Sequence, residues 1–351
     1  MSSPSPPPAE PVPALRGLFQ RRLDGDDALL ELARLRFDQA GLGAEVYADT
    51  PEELRWVLGF APERPHRPVV HLNRRVNLLE ERGRAVVETF AARFGGRVAG
   101  LVAHDKADMG DRTGDLVAGL RELGGRLDRR PDGPMLFLEY AAGLELDWFV
   151  EVAERLRDVP RVGACVDVGH VGVAAARARF SRLHPGLDLA RMEPGDARLP
   201  ELVADVQAAV ASALPAVLRL LRSLGQVGKP FHLHLHDGHP LIPGLSDHFS
   251  FLIRVPVPFE HDGRRSLDPL YGPAGLAAIV ATAARAGGGR ASLTLEIHQA
   301  EGRRPLADAA GLFGHWRDLA NAERMNHWLA VIGENAALVT AALEPDGPAA
   351  A

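Results

Sequence analysis

Residues Pro230 to Pro240 read PFHLHLHDGHP, a run holding His232, His234, His236, Asp237 and His239. Successive side chains of a β-strand point to opposite faces. The alternation therefore puts His232, His234 and His236 on one face and Phe231, Leu233 and Leu235 on the other. In a barrel the leucines would face outer helices and the histidines the interior. His232 lies deepest and reads as a hydrogen-bonded core residue. His234 and His236 lie nearer the mouth, and Asp237 and His239 at the turn into a long connection.

Seven further short apolar runs have strand character: LRGLF from Leu15, GAEVYA from Gly43, RPVVHLN from Arg67, RVAGLVAHD from Arg97, PMLFLEY from Pro134, VGACVDVGH from Val162 and ASLTLEIH from Ala291. The first two have the weakest pattern. Amphipathic stretches lie between them: one after Asp26, one from Asn77 to Gly96, one from Leu146, one from Pro200 to Gly225, and GPAGLAAIVATAARAGGG, which starts behind a proline and stops on glycines. Eight β/α alternations predict an α/β fold, a single (β/α)8 TIM barrel. The rival, an open doubly wound sheet, needs a glycine-rich phosphate-binding turn after an early strand, and none is found. Two connections read as long loops, Val171 to Leu199 after strand six and Gly238 to Tyr271 after strand seven. Both would lie on the face that carries the site in such barrels. The stretch Leu306 to Leu343 predicts an extended C-terminal helical segment, available for packing or for a homo-oligomer contact.

The expected organisation is a disordered Pro/Ser-rich tail over residues 1–13, the barrel with its helical extension over 14–343, and a loose end over 344–351. The chain has 351 residues, 46% hydrophobic and 25% charged, with net charge −6. That charge disfavours non-specific nucleic-acid binding and leaves a small molecule as the expected substrate. Cys165 is the one cysteine, so no intrachain disulfide can form. With no basic, apolar leader and no run expected to span a membrane, the reading is cytoplasmic.

Buried parallel strands should be apolar throughout. Here they turn polar at their carboxyl ends: His71 on strand three, His104 and Asp105 on four, Glu139 on five, Asp167 with His170 on six, the histidine run on seven, Glu296 with His298 on eight. Any one of these taken alone is more often a hydrogen-bonded structural residue. Together they bring several carboxylates to one end, which is unfavourable without a cation. Imidazole and carboxylate together suit divalent zinc, manganese, iron or cobalt.

These residues, in this order, resemble the xylose isomerase-like TIM-barrel superfamily, which includes sugar isomerases and epimerases and endonuclease IV. ACVDVGHVG resembles its Asp-x-x-His strand, implying Asp167 as a metal ligand and His170 as a ligand or substrate contact. HLHD resembles His-x-Asn-Asp or His-x-Lys-Asp, implying His234 as a ligand, with His236 where Asn or Lys is usual. LEYAAG resembles the endonuclease's Glu-Asn-Thr-Ala-Gly and marks Glu139, and LTLEIH supplies Glu296. The isomerase pattern implies one ion held by Glu139, Asp167, His234 and Glu296. There Glu139 and Glu296 form the acid/base pair, and His170 and His236 orient substrate oxygens. The endonuclease pattern implies two or three ions, with His71 and His104 as further ligands. Its Asp-x-His loop is replaced here by adjacent Asp247 and His248, and its Pro-Gly after the strand-four histidine by Asp105. Histidine-rich relatives that use two or three irons for oxidation form a third class. Arg264 and Arg303, in the connections after strands seven and eight, favour an anionic substrate group. The leading expectation is a metal-dependent isomerase or epimerase of a small hydroxy-carbonyl compound such as a sugar or sugar phosphate. The runner-up is a multinuclear hydrolase or oxidase, and the third reading is a non-catalytic barrel with a structural metal.

Overall fold

The computed structural model describes residues 13–19, 27–242, 248–297 and 321–344. Eight parallel strands close a barrel: β1 (Ala14–Phe19), β2 (Gly43–Ala48), β3 (Val69–Leu72), β4 (Gly100–His104), β5 (Met135–Tyr140), β6 (Val162–Asp167), β7 (Phe231–Leu235) and β10 (Ala291–Leu295). The pair β8 (Val255–His261) and β9 (Arg264–Leu267) forms a separate antiparallel hairpin after β7. The predicted strands, including the two of weakest pattern, are all present. The helices are α1 (Asp27–Gln39), α2 (Pro51–Val57), α3 (Glu81–Phe94), α4 (Asp108–Asp111), α5 (Thr113–Asp128), α6 (Leu146–Arg155), α7 (Val168–Leu183), α8 (Leu199–Val210), α9 (Ala213–Val227), α10 (Gly272–Gly287) and α11 (Asn321–Leu343).

Each strand has two jobs, divided by its period of two. One face, such as Leu233 and Leu235 of β7 or Leu136 and Leu138 of β5, packs into the core under the helices. The other face fills the barrel. Val69, Val102, Phe137 and Cys165 form a small apolar cluster apart from the outer core, and the Phe137 ring lies on His232 at 5.5 Å between centroids. Two residues further along the same strands the side chains become His71, His104, Glu139 and Asp167. The register carries this layering around the barrel, pairing Cys165 with His232 and His232 with Ser292, then Asp167 with His234 and His234 with Thr294.

The connection read as a loop from Val171 to Leu199 is helical as far as Leu183. α7 begins at Val168, directly after β6, because Asp167 caps it: its Oδ1 accepts the His170 N–H at 2.8 Å. Arg177, Arg179 and Arg182 therefore lie on a helix, and Arg177 donates to the carbonyls of Pro240 and Ile242. The stretch Pro200 to Gly225 is two helices, α8 and α9, parted near Ser212, and the stretch from Asn77 becomes helical only at Glu81. Contrary to expectation, Leu199–Val227 is long and apolar enough to cross a membrane by length and composition. In the barrel these helices pack on α6, α7 and α10.

α11 lies against α10 and α1, closing the helical layer where β10 meets β1. Its buried Asn335 accepts the Phe251 N–H and donates to Ser250 Oγ at 2.8 Å, tying α11 to the connection after β7. The calls on residues 1–12, Asp247, His298, Arg303 and 345–351 fall outside the described residues.

Asp237, two residues beyond β7, is fully buried. Its carboxylate accepts the N–H groups of Gly238, Tyr271 and Gly272 at 2.8, 3.2 and 2.7 Å, and burial pushes its pKa up to about 7. It fastens the start of α10 to the end of β7. Asp237→Ala removes the acceptor for these donors and should lower stability by about 3 kcal/mol or more. Urea unfolding measures this, and a loss below about 1 kcal/mol contradicts the assignment.

Candidate metal centre

At the carboxyl ends of the strands the interior side chains converge. Glu139 is central. Its Oε2 lies 3.0 Å from His71 Nε2 and 3.5 Å from His104 Nε2, and its Oε1 lies 3.4 Å from His234 Nδ1. The same His234 nitrogen is 3.1 Å from Glu296 Oε2. Tyr47 donates to Glu296 Oε1 and stacks on His71 at 4.5 Å between centroids. On the other side Asp167 accepts from His236 Nε2 at 2.8 Å, and its Oδ2 lies 3.3 Å from His170 Nδ1. His236 stacks on His248 with centroids 3.9 Å apart and planes within 3°.

The donor atoms fall into three overlapping sets, each within 4.8 Å: His71, Glu139 and His234; Asp167, His234 and Glu296; and Asp167, His170, His236 and His248. A further set at that spacing, Cys165, His232 and His234, lies below them. The residues fit divalent ions on two physical grounds. Buried polar atoms normally find a hydrogen-bond partner. Here Glu139 Oε2, Asp167 Oδ2, His71 Nε2, His234 Nδ1 and both ring nitrogens of His170 are buried without one. The imidazoles are also tied from behind. His71 Nδ1 bonds the Leu72 carbonyl, His236 Nδ1 the Asp237 carbonyl, His248 Nδ1 the Glu296 carbonyl, and His234 Nε2 the Glu45 carboxylate. Such a bond orients the ring: at His71 and His234 the other nitrogen faces Glu139, while at His236 it already meets Asp167.

Electrostatics agree. Burial alone would raise Glu139, but His104, His71 and His234 hold it well below the usual carboxylate range. Burial opposes protonation of His71 and His234. The Glu139 charge outweighs it at His71, and the charges of Glu296, Glu45 and Glu139 outweigh it at His234, so both end above the usual imidazole value. Burial lowers His104 to about 4.

The structure thus gathers Glu139, Asp167, His234, Glu296, His71, His104, His170, His236 and His248. His236, expected to orient substrate oxygens, is buried against Asp167. His232 is a core residue as its period implies, bonded to Ser292 Oγ and Glu45. Arg264 is exposed beside the hairpin turn, outside the ion pairs of the cluster. Glu45 and Tyr47 were not singled out in the sequence. The available signal was a lone glutamate and a tyrosine at alternate positions of a strand otherwise filled with small and apolar residues. Asp105 turns away from the cluster, and its carboxylate accepts the N–H groups of Ala141, Gly143 and Leu144.

No protein-family model matches the chain, and no curated protein matches it. Among solved structures it is similar to one described as AsfvAP:AG, at 14% identity and TM-score 0.54, covering 95% of this chain and 100% of that one. It is more distantly similar to a putative α-L-fucosidase from Bacteroides thetaiotaomicron, at 11% identity and TM-score 0.41, covering 94% and 100%. The carboxyl transferase domain of Rhizobium etli pyruvate carboxylase with pyruvate gives 14% and 0.39, covering 97% of this chain and 50% of that one. The first likeness is one of fold.

Two predictions follow from the geometry. A Cβ on Gly169 would lie 1.9 Å from His236 Cε1, so Gly169→Ala should drive His236 off Asp167. The expected loss is about 1–3 kcal/mol of stability together with weaker metal uptake, read by thermal unfolding and Zn²⁺ titration. Wild-type behaviour in both would refute the packing. Because His71 and His234 retain protons above the ordinary value of 6.5, an ion must displace them. Zn²⁺ affinity should therefore tighten as pH rises above that value, with protons released. Calorimetry in buffers of different ionisation enthalpy measures the release, and a flat affinity from about pH 6 to about pH 8 would count against it.

Proposed function

We propose that this chain is a multinuclear metal-dependent enzyme, and that its reaction is hydrolysis of a phosphoester in a small anionic substrate. The observation that carries the reading is the shared carboxylate of Glu139, with one oxygen facing His71 and His104 and the other facing His234. A one-ion site held by Glu139, Asp167, His234 and Glu296 leaves His71, His104 and His248 outside its ligand set. A carboxylate between two imidazole sets is the arrangement that spaces neighbouring ions. The ligand order resembles that of endonuclease IV within the xylose isomerase-like superfamily, and the barrel itself is of the fold seen in AsfvAP:AG.

The residues that would hold the ions are His71, His104 and Glu139 on one side, and Asp167, His234 and Glu296 on the other. His170, His236 and His248 offer a third set. Bound there, divalent ions would supply Lewis-acid polarisation of phosphoryl oxygens and acidify water. The chain's own contribution is positional. Tyr47 holds the Glu296 carboxylate and packs flat on His71, so two ligands from β3 and β10 are fixed through one side chain. His104 is 20% exposed while His71, Glu139 and His234 are at 2% or less. Substrate therefore approaches past His104.

A second reading, isomerase or epimerase chemistry, is favoured by one feature. Glu139 and Glu296 both flank His234 Nδ1, at 3.4 and 3.1 Å, as an acid/base pair around a single ion would. Metal analysis of the purified chain discriminates. Two or more Zn²⁺ or Mn²⁺ per chain, with hydrolysis of bis(p-nitrophenyl) phosphate that falls about 100-fold or more in Glu139→Gln, is the expected result. One ion per chain, with solvent deuterium entering a sugar substrate, would replace it with the isomerase reading. Two or three irons without phosphoesterase activity would point instead to oxidation.

A further inference from the structure

We infer that Glu45 is a positioning residue of the metal centre, fixing His234 so that it binds through Nδ1. The inference rests on the multinuclear reading above for the presence of an ion, and on this chain's geometry for the role of Glu45.

Glu45 comes from β2, and the histidines it holds come from β7, with β1 and β10 between them in the closed order. Its carboxylate spans the barrel. Oε1 bonds His234 Nε2 and Oε2 bonds His232 Nε2, both at 2.9 Å, and all three side chains have no exposure. An ionised carboxylate only accepts hydrogen bonds. Each imidazole must therefore carry its proton on Nε2. Burial alone would raise Glu45, but His234 and His232 hold it below the usual carboxylate range. The far side of His232 is closed by Ser292 Oγ at 2.6 Å, so that ring cannot rotate away and leave Glu45 half satisfied.

The consequence falls on His234. With Nε2–H directed at Glu45, Nδ1 is the nitrogen that faces Glu139 Oε1 and Glu296 Oε2, at 3.4 and 3.1 Å. That nitrogen is the one aimed into the donor sets, and a proton it carries leaves when an ion binds. Without Glu45, a proton on Nδ1 would bond those same carboxylates, and the lone pair would point down into the barrel. A carboxylate behind a ligand imidazole fixes both tautomer and ring orientation, and losing it weakens metal binding about 10- to 100-fold.

Glu45→Gln keeps the shape. Its amide can accept from one histidine but must donate to the other, so one Nε2–H is lost. With Zn²⁺ as the probe, wild type should show the His234 proton on Nε2 and the metal at Nδ1 in long-range ¹⁵N–¹H spectra. Glu45→Gln should bind Zn²⁺ about 10- to 100-fold more weakly and shift the His234 pattern, with its circular dichroism unchanged. A variant that binds within about twofold of wild type, or a Zn²⁺-loaded wild-type His234 protonated on Nδ1, overturns the inference. Should wild type take up no Zn²⁺, the multinuclear reading fails by itself. The metal-free spectrum still decides the role of Glu45. A His234 Nε2 proton slow to exchange with solvent supports it, and a rapidly exchanging one overturns it.

Discussion

Buried negative charge is the constraint on which this interior is built. Glu45, Glu139, Asp167 and Glu296 are each at most 1% exposed, and taking a carboxylate from water without compensation is prohibitive. Imidazoles supply the compensation. Glu45 is met by His232 and His234, Glu139 by His71, His104 and His234, Asp167 by His170 and His236, and Glu296 by His234 and His248. The barrel geometry makes this possible. Strands that alternate apolar and polar residues send one set outward under the helices and the other to the axis, where residues far apart in sequence meet.

Two kinds of acid follow from this arrangement and should not be confused. Asp105 and Asp237 stand beside the cluster in sequence, but their carboxylates are consumed by backbone N–H groups and hold loops. Glu139 and Asp167 present an oxygen that has no such partner. The distinction between scaffold and site is thus made by hydrogen bonding rather than by residue type. Asp167 does both, capping α7 with one oxygen while the other faces His170.

Much of this was legible in the chain. The eight strands could be read because each is a short apolar run between helical periods, and the donor residues because they interrupt those runs at the same end. The pairing across the barrel could not be read. Nothing in GAEVYA says that Glu45 faces inward and meets two histidines nearly two hundred residues later. The start of α7 was missed because Gly169 and Gly172 follow Asp167, and glycine pairs ordinarily signal a loop. Here Gly169 is required by the close approach of His236, and Gly172 by that of Tyr271. The break between α8 and α9 was hidden by an apolar period that continues through it.

Closure of the barrel joins β1 to β10, pairing Ala14 with Ser292 on the first and last strands of the barrel. The site is assembled by the same event, since Glu45 stands on β2, His234 on β7, and Glu296 just beyond β10. Contacts between residues so far apart in sequence carry a large loop-closure cost. No fragment that starts after His71 or stops before Glu296 contains the whole centre. An ion bound there would act as a latch on the ring, holding ligands from β3 to the end of β10 together and stabilising the closed barrel by mass action.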